Sequence, residues 1–293
     1  MTGAQAAPDS EAWERWTAFD PDSSEVIDHG AWDDFLASYV KRFEDGINRL
    51  DYGGVGEEDK AELERYIDSL AATPISTFNR DEQRAYWINL YNAFTVKVIL
   101  DHYPLDSIRD INISPGLFSS GPWGKKLVTI EGEEVSLDDI EHRILRPVWR
   151  DPRIHYAVNC ASLGCPNLSP FAYTSSNAES MLERAARSYI NHPRGAEVTK
   201  GRLVVSSIYV WFQEDFGDSD AGVIAHLKEY AYGGLAASLG EVDEIDDDRY
   251  DWEINDAGTA EGAIDKMTLE NSLKGFPGST MGIKELQALH AND

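Results

Sequence analysis

Apolar side chains fall on nearly every face of residues 81–102, where Tyr86, Trp87, Ile88, Leu90, Tyr91, Phe94, Val96, Val98 and Ile99 leave little room for a polar side. A helix of that kind is surrounded by protein, so this one is expected to run through the middle of the fold. Asn89 and Asn92 interrupt it, three apart and on one face; buried amides there either fasten backbone from a neighbouring loop or line a cleft. Upstream, Trp32, Phe35, Leu36, Tyr39, Val40 and Phe43 share one helical face within residues 31–50. A glycine-rich break at 53–56 leads to another helix over 57–72, and residues 11–19 read as a short helix capped by Ser10, after a disordered start at 1–9. Beyond residue 105 the period changes. Residues 126–130 and 134–136 read as a hairpin over Glu131-Gly132, and 197–199 with 201–205 as a second. Helices are expected over 178–191 and 222–231, and a last strand over 243–254. Helices first and hairpins afterwards, without regular βαβ units, predict an α+β domain: N-terminal helices on a small, mostly antiparallel sheet packed against the 81–102 helix.

Residues 136–166, SLDDIEHRILRPVWRDPRIHYAVNCASLGCP, hold both cysteines. Ser136 with Asp139 three residues on makes an acidic capping box, so a helix starts at Leu137; Pro147 stops it at Arg146. Its apolar stripe is Ile140 and Ile144, with Glu141 and His142 at the border of that stripe. Residues 153–159 read as a buried strand, which puts Cys160 at a strand end in a turn of small residues, a favourable place for a nucleophile. Along such a strand His155 would stand about 16 Å from Cys160 and on the opposite face. His142, arriving on a separate element, is therefore the better base, with Asp138 and Asp139 well spaced to orient it. Backbone amides after Cys160, with Asn89, Asn92 or Asn159, are candidates to hold an oxyanion.

Charge narrows the partners. Lysine and arginine number 26 against 52 aspartates and glutamates, a net charge of −26. Such a field repels nucleic acid and anionic membranes, so neither is expected as a partner, and it suits solubility in high salt. No apolar stretch has the length of a membrane span, and the first residues have neither the basic start nor the apolar run of a secretory signal, which leads us to expect a cytoplasmic location.

The runs NRDEQRAYWINLYNAFTV (79–96), IEHRILRP (140–147), DPRIHYAVNCASLGCPNL (151–168) and YDWEIND (250–256) resemble the family catalogued as domain of unknown function 547, in the family's order through residues 30–256. On that basis residues 1–29 are an N-terminal extension, 30–256 one domain, and 257–293 a tail. The resemblance implies a likeness to cysteine hydrolases of the papain and transglutaminase type. It places the family's Glu-His pair on Glu141 and His142 and its cysteine on Cys160. The expected function is then thiol-dependent hydrolysis or acyl transfer on a peptide or amide, with Cys160 as nucleophile, His142 as base and no cofactor; the alternative is a non-catalytic binding module using the same cleft for a small molecule or protein. Plainer readings stand beside it: two buried structural cysteines, a disulfide closing the 160–165 loop, or a zinc site of Cys160, Cys165 and two of His142, His155 and His102. Cys165, in a Gly-Cys-Pro turn, is expected to pack, or to resolve an oxidised Cys160.

Overall fold

The computed structural model describes residues 10–115 and 121–258, so the expectations for residues 1–9 and for most of 257–293 lie outside the described residues. Trp32, Phe35 and Leu36 bury one face of α1 (Gly30–Tyr39), which ends well before residue 50. The chain turns instead into β1 (Val40–Arg42) and β2 (Asn48–Leu50), antiparallel with Val40 opposite Leu50. The turn between them holds Gly46 at φ 80°, a left-handed conformation that no helix continues through, and the Asp45 side chain accepts the Ile47 amide. Leu63, Tyr66, Ile67 and Leu70 then give α2 (Glu57–Ala71) its buried stripe.

Asn79 caps α3 (Arg80–His102), its side chain accepting the amides of Asp81 and Glu82 at 3.1 and 3.0 Å. Tyr86, Ile88, Leu90 and Ile99 have no exposed surface, and α3 packs against α2 on one side and the Glu141-bearing helix on another, the central position expected of it. The N-terminal extension packs on the same core: its helical turn covers only Glu14–Thr17, after Trp13 rather than Ser10, and Trp16 stands edge-on to Trp87.

The hairpin of β3 (Val128–Ile130) and β4 (Glu133–Val135) turns at Glu131 and Gly132, both at positive φ. It leads into the Ser136 capping box, in which the Asp139 carboxylate accepts from both the Ser136 amide (2.8 Å) and hydroxyl (2.7 Å). Residues Asp139–Leu145 take π-helical register, Arg146 N–H bonding Glu141 C=O five residues back. Contrary to the sequence reading, the helix does not stop at Arg146. Pro147 falls in the first turn of α4 (Arg146–Trp149), where its missing N–H costs little, and Arg150 ends the run at φ 50°. The expected strand at 153–159 is likewise a 3-10 helix, Pro152–Tyr156. The Asp151 side chain caps it by accepting the Arg153 amide, with Pro152 preset at the first helical position, and those two signals outweigh the branched and aromatic composition.

The remainder builds a second core. It comprises the later turns of α5 (Ala178–Ile190), whose Ala178, Met181 and Leu182 still belong to the first core, with β5 (Ala196–Thr199), β6 (Arg202–Ser206), α6 (Ser207–Trp211), α7 (Asp220–Tyr230), α8 (Gly233–Leu239) and β7 (Asp247–Arg249). The α+β class holds, but the single sheet on α3 does not. The described strands form three small sheets, and the largest, β5-β6-β7, pairs β5 with β6 antiparallel and β6 with β7 in parallel. Its buried positions Leu203 and Val205 pack with Tyr189, Val223 and Leu227, not with α3. The expected final strand shrinks to β7; Ile254 then makes an isolated antiparallel bridge to Ser162. Among the described residues no helix is long and apolar enough to cross a membrane.

Candidate active site

Asn159 shapes the loop that carries both thiols. Its Oδ1 accepts the Ala161 amide (2.9 Å) and its Nδ2 donates to the Pro166 carbonyl (2.7 Å), so one side chain ties the start of the loop to its end. Its own N–H donates to Asn92 Oδ1 (2.8 Å), while Asn92 Nδ2 donates to the Ala157 carbonyl (2.9 Å), fixing the loop to α3. Asn89 does the same for Tyr173, bonding both its carbonyl and its amide. All three asparagines are thus committed to backbone, the first of the two roles their burial allows. From the other side, Leu163 and Gly164 N–H donate to the Glu253 and Asp251 carbonyls, both at 2.8 Å. Gly164 has to be glycine, since a Cβ there would lie 2.7 Å from the Asp251 nitrogen. Ala161 sits at φ 58°, and this left-handed residue turns the chain back on itself.

The two sulfurs therefore converge. Cys160 Sγ and Cys165 Sγ are 3.1 Å apart as free thiols, and the Cys160 amide donates to Cys165 Sγ at 3.0 Å. Cys160 is half-buried and has two hydroxyl neighbours, Tyr250 at 2.9 Å and Ser162 at 3.3 Å, themselves 2.9 Å apart. The hydrogen bond with Cys165 lowers the Cys160 pKa, against the opposing effect of burial and the Glu141 charge and with help from the two hydroxyls. Burial, then the Cys160 bond and charge, pushes Cys165 well up, so Cys160 ionises first.

A second group lies on the π-helix and the 3-10 helix. His155 stands between two carboxylates, its Nε2 2.7 Å from Asp215 and its Nδ1 3.6 Å from Glu141. Burial opposes its charge, but those carboxylates win and raise its pKa. Glu141 is likewise buried; despite that penalty the His142 and His155 rings and the Tyr91 hydroxyl bring it down to about 2. His142 goes the other way. Burial lowers it to about 4, so the ring is neutral at neutral pH. Arg146, a donor only, lies 3.2 Å from His142 Nδ1, which must therefore accept and leave the proton on Nε2, 3.9 Å from Asp138. Arg146 also pairs with Glu214 and Asp215, both at 2.5 Å.

Consecutive aromatic residues join the groups. Trp211 packs tilted against Tyr250, with centroids 4.9 Å apart, while Phe212 stacks on His155 at 4.4 Å and His142 at 5.6 Å. Of the six residues expected at the site, Cys160, Asn159 and Asn92 meet in one sub-cluster at the thiol loop. His142 and Glu141 belong to the second, with Glu141 paired to His155 rather than to His142, and Asn89, bonded to Tyr173, is in neither. The separation argument against His155 lapses with the strand; what commits it elsewhere is its two carboxylates. Neither Asp138 nor Asp139 bonds His142 at hydrogen-bond distance, Asp139 being engaged by Ser136, Lys126 and Arg143. The zinc set does not assemble: among the described residues no three His, Cys, Asp or Glu side chains are placed to hold a metal, and His102 bonds the Val98 carbonyl on its own helix. Sequence reading missed Ser162, Tyr250, Arg146, Asp215 and Phe212 as site residues. Tyr250 opens the YDWEIND run and Ser162 lies in the cysteine turn; nothing local marks Asp215, whose partners are 60 and 69 residues away. An open surface concavity lined by Phe19, Pro21, Asn79, Arg80, Asp81, Ser175 and Ser176 contains none of these groups.

Residues 75–190 match the family model described as a protein of unknown function, DUF547. No curated protein and no solved structure matches the chain. The DUF547 match spans α3, the capping box, the π-helix, the cysteine loop and α5, and so carries both thiols, both histidines and Glu141. Both sub-clusters are completed from outside it, by Tyr250 on one side and by Asp215 and Phe212 on the other.

Proposed function

We propose that this protein is a thiol-dependent hydrolase or acyl transferase acting on a peptide or amide, with Cys160 as nucleophile and His142 as base. The observation that supports it is the hydroxyl and thiol shell around one half-buried sulfur, Tyr250 at 2.9 Å, Cys165 at 3.1 Å and Ser162 at 3.3 Å, which favours the thiolate. A thiolate attacks the acyl carbon; the amides of Cys160, Ala161, Leu163, Gly164 and Cys165 all donate within the protein, so none of these five stands free to hold the oxyanion. His142 is neutral, as a base must be, and takes up a proton once Arg146 releases Nδ1; it then returns that proton to the leaving amine. Glu141 acts one step removed, holding His155 and through it Asp215 and Arg146. A papain- or transglutaminase-like relation and a cytoplasmic location belong to the same proposal.

The alternative, a non-catalytic binding module, is favoured by one observation: the contacts of Cys160 are Cys165, Ser162 and Tyr250, and the nearest polar neighbour of His142 is Arg146. Alkylation separates the two. At pH 6 to 7 a catalytic Cys160 reacts with iodoacetamide about tenfold or more faster than a free thiol, and His142→Ala loses most of that advantage. A rate equal to that of free thiol, unchanged in His142→Ala, would leave only the binding module.

A further inference from the structure

We propose that Cys160 and Cys165 form a redox-active dithiol, in which a hydroperoxide oxidises Cys160 and Cys165 resolves it to an intramolecular disulfide that silences the nucleophile. The inference shares with the preceding reading only the assignment of Cys160 as the reactive thiol. Its basis is that the loop brings the sulfurs together without using their bond to do so. Asn159 closes the loop through Ala161 and Pro166, the Cys165 amide bonds the Ser162 carbonyl at 3.1 Å, and the 251–253 backbone pins Leu163 and Gly164 from outside. The sulfurs stand 3.1 Å apart, so a disulfide needs an approach of about 1 Å, which side-chain rotation supplies.

The two thiols are also unequal in the way such a pair requires. Cys160 is the half-buried one and carries the two hydroxyl neighbours; Cys165 is 4% exposed, with the Cys160 amide and sulfur as its nearest polar contacts. A peroxide therefore meets Cys160 first. The Cys160 thiolate attacks the peroxide, an S–O bond forms, the O–O bond breaks, and the alcohol leaves with a proton; sulfur is oxidised to the sulfenic acid and the peroxide is reduced. Cys165 then attacks the same sulfur. An S–S bond forms, the S–O bond breaks, and water leaves carrying the Cys165 proton, so dithiol and hydroperoxide yield disulfide, alcohol and water. The adjacent resolving thiol would keep Cys160 from passing to the irreversible sulfinic acid.

The test treats the full-length protein with one equivalent of hydrogen peroxide. In the wild type, intact mass falls by two hydrogens, peptide mapping links Cys160 to Cys165, iodoacetamide labelling of Cys160 drops about tenfold, and dithiothreitol restores it. Cys165→Ser, and Cys165→Ala as a second variant, instead stop at a sulfenic acid that dimedone traps, and Cys160→Ser gives neither product. The wild-type measurement decides by itself if a variant does not fold. Dimedone trapping equal in wild type and Cys165→Ser, direct passage to the sulfinic acid, or a disulfide between two chains each overturns the proposal. Disulfide formation does not involve His142. A linked pair together with a His142→Ala rate equal to wild type would therefore keep the dithiol and remove the hydrolase, and the converse result would do the opposite.

Discussion

Among single residues, Tyr250 has the largest consequence for the chemistry. Burial holds its pKa well above the ordinary phenol value, so at neutral pH the hydroxyl keeps its proton and remains a donor. It lies 2.9 Å from both Cys160 Sγ and Ser162 Oγ, and its ring is held by Trp211 and Trp252 at 4.9 and 4.6 Å. Tyr250→Phe therefore removes one hydrogen bond from the thiolate and leaves the aromatic packing in place. We expect the midpoint of the pH profile of Cys160 alkylation to move up, with the rate at pH 7 falling roughly three- to tenfold and the unfolding free energy by no more than about 1–2 kcal/mol. An unmoved midpoint would assign the acidity of Cys160 to Cys165 and Ser162 alone.

Among elements, α3 positions the thiol loop through a single side chain. Asn92 accepts the Asn159 amide and donates to the Ala157 carbonyl, and it is 2% exposed. Asn92→Leu leaves both backbone groups buried without their partner and should cost about 2–4 kcal/mol in denaturant unfolding. If anchoring rather than bulk stability governs the site, the alkylation advantage of Cys160 falls as well, under conditions where the variant is fully folded. The central position of α3 could be read from its sequence because its apolar residues surround it, and the capping box because Ser136 and Asp139 act locally. The 153–159 segment was misread for a definable reason: Ile154, Tyr156 and Val158 have strand composition, but Asp151-Pro152 sets a helical start. Likewise Pro147 reads as a helix stop only while the preceding turn is taken as α; the π register moves it into a first turn. The π register, the second core and the parallel β6–β7 pairing depend on long-range contacts that no local pattern records.

On the scale of the whole molecule, the residues after β7 connect the cores: Tyr250 packs with the second, Ile254 with the first, and the backbone between them pins the cysteine loop. Polar burial is concentrated around this junction and along α3, which sets the response to acid. Burial lowers His29, His142 and His226 to about 4 each, below the 6.5 of the unfolded chain. A group whose folded pKa is depressed binds fewer protons in the native state, so its contribution is present above the unfolded pKa and is lost as pH falls from 6.5 through 4. Each ring accounts for on the order of 1–3 kcal/mol over that interval. His155 has the opposite sign: its folded pKa is raised, so its contribution is complete below 6.5 and disappears only as pH rises through the folded value. Glu141 and Asp215, both near 2, add a further loss as pH falls below their unfolded values of 4.5 and 3.8. Asp138 works against the histidine step: burial and the neighbouring Glu141 and Asp139 charges raise its pKa to about 7 in the folded protein. Its proton uptake therefore favours the fold as pH falls from 7 towards 3.8, offsetting part of the loss from the three rings. Urea midpoints are therefore expected to be highest near neutral pH and to fall steeply between pH 6.5 and 4.5. His226→Asn should flatten that slope, because it removes one of the three rings held near 4. A midpoint constant across the interval, or a slope untouched in His226→Asn, would mean that these histidines are solvated in the folded protein.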